Sequence, residues 1–274
     1  MPWRLIPPHP APAASHMALD QTLLESAVDT TFRPTLRFYL WSPPAISMGR
    51  FQPISDIDLA ACHDNGIDVV RRPTGGKSIL HLDDFTYSLI LPKGFSLPHS
   101  VVEAYKLICR GILSALGHLG LTAVIQSRES EDYKRVPGAC FAAATQADLE
   151  FDGRKLCGSA QMRRRGAILQ HGSILLEDRS EALFRLLRFE NEEGRGQALR
   201  SYRSRCVSLN QTGMRFNWEE VAASFIEGFR ESFGVEIGEG TLTTWEKERW
   251  PVLTKAYNSP EWLSNTASCF SPRV

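Results

Sequence analysis

Ile67-Asp-Val-Val-Arg71-Arg72-Pro73-Thr74-Gly75-Gly76-Lys77-Ser78-Ile79-Leu80-His81, followed closely by Thr86-Tyr87-Ser88-Leu89-Ile90-Leu91, is the stretch on which the reading of this chain turns. It opens as an apolar, β-branched strand, passes into two arginines and breaks at Pro-Thr-Gly-Gly before alternation resumes. Charge and a flexible turn therefore lie directly beside a buried sheet. Paired glycines let backbone N–H groups approach a ligand without Cβ clashes, and the flanking Arg and Lys side chains suit a carboxylate, phosphate or oxyanion. The plainer alternative is a β-hairpin whose Gly-Gly turn carries solvated charges.

Upstream, Ser15 precedes a helix from Met17 to Val28, and residues 1–14, rich in proline, read as a flexible N-terminal segment. Thr35 to Trp41 and Ala45 to Met48 are strands, the second leading into Gly49-Arg50-Phe51-Gln52. Ser55 with Asp58 opens a short helix that Asn65-Gly66 closes. Downstream, Ser100 with Glu103 caps a long helix with Ile108, Ile112 and Leu116 on one face. The segment from Gln126 to Ala139 is charged and aperiodic, a long surface loop ending at Cys140-Phe141.

Ala147-Asp-Leu-Glu-Phe-Asp152-Gly153-Arg154-Lys155-Leu-Cys157-Gly158-Ser159-Ala160-Gln161 carries alternation on both sides of Asp-Gly, a strong hairpin signal that sets Lys155 near the start of the returning strand. Gly158, Ser159 and Ala160 leave room for a ligand beside it. Cys157, two residues on, is expected on the same strand face as Lys155 and is a secondary thiol candidate. The arginines 163–165 read as a turn before the strand from Ala167 to Leu176, where His171 is either a base or a hydrogen-bonded structural histidine. Ser180 caps a helix, Glu190 to Tyr202 reads as loop, Asn217 with Glu220 opens another helix that Gly234 ends, and Thr243 to Trp262 packs as a tail. Without repeats or a clear linker, a single α+β domain fits, with a mixed, largely antiparallel sheet flanked by helices.

The 274 residues are 43% hydrophobic, enough to bury a substantial core, and 31 basic side chains balance 31 acidic ones. No global field favours nucleic acid. No apolar run approaches the roughly 20 residues of a membrane span, and the N-terminus lacks a signal-peptide core, so a cytoplasmic protein is expected. Cys62, Cys109, Cys140, Cys157, Cys206 and Cys269 form no CxxC pair, which argues against a zinc or thioredoxin-type motif. Cys140 is either a structural or incidental cysteine or, with Lys134 and Arg135 nearby, one held partly as thiolate, the form that attacks acyl groups.

Met17-Ala-Leu-Asp20, Gly49-Arg-Phe-Gln52, Arg71-Arg-Pro-Thr-Gly-Gly76, Thr86-Tyr-Ser88, Ala139-Cys-Phe141, Gly153-Arg-Lys155-Leu-Cys-Gly-Ser-Ala-Gln161 and Gln170-His-Gly-Ser-Ile-Leu175 occur together in this order. The pattern, spanning roughly Ser15 to Leu176, resembles the biotin/lipoate protein ligase-like family. Its Thr-Tyr-Ser and Ala-Cys-Phe segments look more like cysteine-dependent octanoyltransferases of the LipM type than like ATP-using lipoate ligases. The resemblance implies a ligase-like catalytic domain over residues 15–274 and transfer of octanoyl from acyl carrier protein to a lysine of a lipoyl carrier domain, such as glycine cleavage H protein or a 2-oxoacid dehydrogenase subunit. It implies Cys140 and Lys155 as catalytic residues, Lys155 either stabilising an oxyanion or accepting a proton. Arg71, Arg72, Thr74, Gly75, Gly76, Lys77, His81, Gly158, Ser159, Ala160 and His171 would bind substrate. It implies no cofactor or metal, no nucleic acid or membrane, and a monomer. Lys77 departs from relatives that carry a glycine or an arginine there. The alternatives are an ATP-dependent lipoate–protein ligase in which the basic side chains cradle a phosphate, octanoyl transfer between two lipoyl carriers, and a non-catalytic carrier-binding protein.

Overall fold

The computed structural model describes residues 2–98, 100–126 and 148–264. The chain begins with strands β1 (Trp3–Ile6) and β2 (Pro10–Ala11), helix α1 (Ala13–Ser26), and strands β3 (Thr35–Trp41) and β4 (Ala45–Met48). Then come α2 (Leu59–Asp64), β5 (Asp68–Arg71), β6 (Ile79–His81), β7 (Asp84–Leu91), α3 (Val101–His118) and β8 (Val124–Ile125). Beyond position 147 follow β9 (Leu149–Phe151), β10 (Arg154–Arg164), β11 (Ala167–Leu175), α4 (Ser180–Arg185), α5 (Glu192–Arg205) and α6 (Trp218–Phe233). The chain closes with β12 (Ile237–Glu239), α7 (Thr244–Tyr257) and α8 (Pro260–Ser264).

The main sheet runs β12-β1-β3-β7-β11-β10-β9-β8, with β2 also pairing on β3. Strands β12, β1 and β3 are parallel to one another, and every pairing from β3 through to β8 is antiparallel. The sheet is therefore mixed and largely antiparallel, as expected. The charged stretch does not form a hairpin. Strand β5 pairs parallel with β4 and β6 pairs antiparallel with β4, so both edges of β4 are occupied and Pro73 to Ser78 crosses from one to the other. This second, three-stranded sheet stands apart from the main one.

Strand β7 is buried along its whole length because both faces of the sheet are covered. Phe85, Tyr87, Leu89 and Leu91 meet Ile108 and Ile112 of α3 and Phe225 and Phe229 of α6. On the opposite face Ile90 and Leu169 meet Leu19, Leu23 and Leu24 of α1, which α7 covers in turn. Helices α3 and α6 cross at two glycines: a Cβ at Gly228 would lie 2.4 Å from the Ala115 nitrogen and 2.5 Å from the Gly111 oxygen. Only a bare Cα permits that approach.

Helix α1, enclosed all round, carries a buried carboxylate into the sheet. Asp20 Oδ1 accepts from Arg37 Nη1 at 2.5 Å and from the Ser88 hydroxyl at 2.9 Å, and Oδ2 accepts from the Tyr39 hydroxyl. Burial alone would raise the Asp20 carboxyl, but Arg37, His171 and Tyr39 outweigh it and hold the pKa down at about 2.

Several local expectations are revised. The N-terminal segment is not flexible: Trp3 is in the core, and β1 is held between β3 and β12. Helix α1 starts before Ser15, with Pro12 at its N-cap and no side-chain cap. Asp58, rather than Ser55, caps α2. Ser180 is the first residue of α4 rather than its cap. Residues 192–205 form α5, capped by Asn191, because Tyr202 packs against Phe184 and supplies an anchor that polar composition hides. Arg163 and Arg164 extend β10, leaving Arg165 (φ 48°) and Gly166 (φ 90°) as the two-residue turn. The Asp152-Gly153 turn, both residues left-handed, is as expected.

Two predictions test this architecture. Gly228→Ala should destabilise the protein by roughly 1–3 kcal/mol in urea unfolding, since backbone on the facing helix cannot yield to the new methyl. Asp20→Asn should cost roughly 3–5 kcal/mol at neutral pH by stranding Arg37. Because the folded-state pKa of Asp20 is depressed to about 2, its contribution is full above about pH 4 and is lost as pH falls through 2, so the variant should show a flatter acid limb than wild type.

Candidate active site

A cavity of about 240 Å³ lies between the α1 face of the main sheet and the three-stranded sheet. Met17, Tyr39, Trp41, Ile79 and Ala160 give it an apolar wall. Arg72, His81, Asp148, Lys155 and His171 bring charge or titratable groups to the same space, with Gly75, Gly76, Gly158 and Ser159 also lining it.

Lys155 reaches this cavity through an irregularity in its own strand. Cys157 pairs with Ile174 and packs in the core under α3 and α6, and a strict two-residue period would send Lys155 to that core as well. A β-bulge between Lys155 and Cys157 shifts the register, so Lys155 turns to the cavity side, where Gly158 and Ala160 lie. Its Nζ meets Asp148 Oδ2 at 2.8 Å, both side chains being almost fully buried. The expectation that Cys157 shares a face with Lys155 is thereby corrected.

The arginine stretch builds the cavity rim. Arg71 Nη1 donates to the carbonyls of Gly49, Arg50 and Gln52 at 2.9, 2.9 and 2.7 Å, and its other nitrogens donate to the Leu263 carbonyl of α8. Arg72 donates to the carbonyls of Ser47, Gly75 and Lys77, each at its shortest 2.8 or 2.9 Å, so its fork sets the shape of the glycine loop. Gly76 has φ 94°, and its oxygen would lie 1.8 Å from any Cβ at Gly49. Two glycines are required where the 49–52 turn meets the loop.

His171 locks the same loop from below. Its Nδ1 meets Asp20 Oδ2 at 2.9 Å and its Nε2 meets the Thr74 hydroxyl at 2.6 Å. A carboxylate can only accept, so Nδ1 carries the hydrogen and Nε2 accepts from Thr74. Burial pushes the His171 pKa down despite the opposing pull of Asp20, which keeps the ring neutral. A second acid, histidine and hydroxyl array borders the cavity at its other side: His81 Nδ1 lies 2.8 Å from Asp84 Oδ2 and Nε2 lies 2.8 Å from Ser47 Oγ.

Arg72, Gly75, Gly76, His81, Lys155, Gly158, Ser159, Ala160 and His171 thus converge on one cavity. Arg71, Thr74 and Lys77 are not among its lining residues; Arg71 and Thr74 act through the loop they brace. Cys140 lies outside the described residues. The sequence reading assigned no role in the site to Asp20, Ser47 or Asp148, nor to Met17, Tyr39, Trp41 and Ile79 of the apolar wall, because their meeting depends on groups distant in the chain. Of the cysteines that are described, all four are buried. Burial chiefly pushes the thiol of Cys62 up to about 11 and that of Cys206 up to about 12, and drives Cys109 well above the usual range, the opposite of a reactive thiolate. No helix among the described residues is long and apolar enough to cross a membrane.

Residues 12–230 match the family model described as the lipoyl protein ligase A/B catalytic domain. Octanoyltransferase LipM of Geobacillus kaustophilus is 39% identical over 269 residues, covering 95% of this chain and 97% of that one. Octanoyltransferase LipM of Symbiobacterium thermophilum is 36% identical over 267 residues, with the same coverage of each. Among solved structures, the bi-partite lipoate protein ligase of Thermoplasma acidophilum, studied with its E2 lipoyl domain, superposes with a TM-score of 0.82 at 25% identity over the full length of both chains. The ATP-bound lipoate-protein ligase A structure, at a TM-score of 0.79 and 24% identity over 96% of this chain and 99% of that one, shares the fold. The chain belongs to the lipoyl protein ligase A/B catalytic-domain family and, within it, to the octanoyltransferases of the LipM type.

Proposed function

We propose that this chain takes an octanoyl group from acyl carrier protein as a thioester on Cys140 and passes it to a lysine of a lipoyl carrier domain, without ATP, as a cytoplasmic monomer. The observation that carries this reading is Lys155, turned by the bulge into a narrow, half-apolar cavity and ion-paired there with Asp148. An ammonium so placed can stabilise the oxyanion that develops when a thioester carbonyl is attacked, and in a site shielded from water such a donor is worth far more than in bulk solvent. Cys140, the cysteine of the Ala-Cys-Phe segment, precedes Asp148 by eight residues in the sequence, and the four described cysteines are buried.

The chemistry balances without a nucleotide. Exchange of one thiolate for another is nearly isoenergetic, and the final amide is more stable than either thioester. The cavity, at about 240 Å³, is smaller than the roughly 300–1,000 Å³ typical of drug-sized ligands and suits a short acyl chain. Burying each CH₂ of that chain against Met17, Tyr39, Trp41 and Ile79 contributes about 0.8 kcal/mol. Arg71 and Arg72 direct their forks at main-chain carbonyls.

Intact-mass measurement after mixing with octanoyl-acyl carrier protein, with no ATP present, should show a thiol-labile octanoyl adduct on wild type and none on Cys140→Ser. Modification of the carrier that requires ATP and survives Cys140→Ala would establish a ligase instead. Lys155→Met strands the buried Asp148 carboxylate and should lower the thermal midpoint, while at a temperature where circular dichroism shows it folded kcat/KM for carrier octanoylation should fall roughly 10²–10³-fold through loss of one oxyanion donor.

A further inference from the structure

Phe51 is 68% exposed, the most open of the large apolar side chains among the described residues. Its backbone is the reverse. Arg71 Nη1 holds the carbonyls on either side of it, those of Arg50 and Gln52, together with that of Gly49. The Arg50 N–H donates to the Thr74 carbonyl at 2.8 Å, and the Gln52 N–H donates to the Gly49 carbonyl at 3.1 Å. The Gln52 side chain is buried, its amide oxygen accepting from Ser78 Oγ at 2.9 Å and from the Gly49 N–H at 3.3 Å. A rigid mount thus presents an aromatic ring to solvent, where the free energy of burying that ring is forgone.

This mount abuts the mouth of the cavity. Gly76 is the exposed member of the described lining residues, and its oxygen comes so near Gly49 that a Cβ there would lie 1.8 Å away. Phe51 follows two residues on. The Arg50 guanidinium lies 5.2 Å from the Phe51 ring centroid and steadies the ring, and half-buried Lys77 follows Gly76. Asp56, beyond the turn, accepts from Gln52 Nε2 at 3.1 Å. An apolar centre with a basic flank therefore sits beside the opening.

We propose that this turn is the docking footprint of the acceptor, with Phe51 as its anchor: the lipoyl carrier domain seats an apolar patch on the Phe51 ring and sets a carboxylate against the flank of Arg50 and Lys77. This rests on the acyl-transfer reading of the cavity, and reach decides between the two carriers. A lysine amine stands on a flexible four-carbon stem, so a domain that offers it to a buried carbonyl must press its own surface against the cavity mouth. A thioester delivered on a long prosthetic arm makes no such demand of the donor. Interface energy concentrates in a few aromatic and arginine anchors, and an anchor that is already rigid loses little freedom on docking.

The test separates docking from chemistry. Enzyme is loaded from octanoyl-acyl carrier protein, isolated, and discharged either to increasing amounts of the lipoyl carrier domain or to hydroxylamine, which needs no docking surface, with each step read by intact mass. Phe51→Ala should keep the wild-type thermal midpoint, loading rate and hydroxylamine discharge, while KM for the carrier domain rises at least about 10-fold with kcat little changed. Phe51→Trp, which keeps an aromatic face, should restore a KM close to that of wild type. Raising the salt concentration should raise the wild-type KM for the domain and leave hydroxylamine discharge flat. Calorimetric titration of unloaded enzyme with the carrier domain, a readout that needs no acyl group, should show the same loss of affinity in Phe51→Ala. A domain KM unchanged by Phe51→Ala would overturn the footprint, as would equal slowing with hydroxylamine, which marks a merely structural role, or a rise in KM for loading alone, which would give the turn to the donor carrier. A domain KM flat with salt would overturn the charged flank. Wild type that fails to load would overturn the acyl-transfer reading, and the calorimetry would then decide the footprint by itself.

Discussion

One buried carboxylate organises this protein. Asp20, projecting from a fully enclosed helix, accepts hydrogen bonds from Arg37 and Tyr39 of β3, Ser88 of β7 and His171 of β11, so a single side chain ties α1 to three adjacent strands. An ionised group so far from water is costly unless every lone pair is met, and here the partners are themselves fixed by the sheet. The tie extends through His171 to Thr74, and hence to the glycine loop that rims the cavity. Helix packing, strand order and the shape of the site are therefore aspects of one electrostatic arrangement.

The same face of the sheet explains why the site is where it is. Odd-numbered positions of β3 and β11 and even-numbered positions of β7 turn away from the α3 and α6 core, and on this face polar side chains replace the expected apolar ones: Arg37, Ser88, Thr86, His171 and Ser173. A second sheet roofs these groups, leaving a space between that is apolar at one wall and charged at the other. Such a space receives a fatty chain and its reactive carbonyl together, because each end meets its own kind of surface.

The arginines show how electrostatic appearance misleads. Arg71 and Arg72 invite assignment to an anionic ligand, yet a guanidinium fork also satisfies several carbonyls that no regular ladder reaches. Here it shapes the cradle in place of a ligand. Lys155 is the reverse case, a strand lysine easily dismissed as solvent-facing that is almost fully buried with a carboxylate.

Much was legible in the sequence because it depends on near neighbours along the chain. The strand of β7, the Asp152-Gly153 turn, the Ser100 and Asn217 caps and the left-handed Gly234 each follow from local sterics or from hydrogen bonding within a few residues. The motif order pointed to the family, and Lys155, His81, His171 and the paired glycines, which it implied as site residues, line one cavity. Asp20, Ser47 and Asp148 were not so implied, since each gains meaning only from groups that folding brings to it. Nor could the alternation rule foresee the bulge, which adds a residue to one strand only when its partner is in register. Periodicity and turn chemistry are properties of the chain itself; the pairing of buried charges and the face to which Lys155 turns belong to the packed sheet, where the cost of an unmatched charge in a low dielectric selects the arrangement.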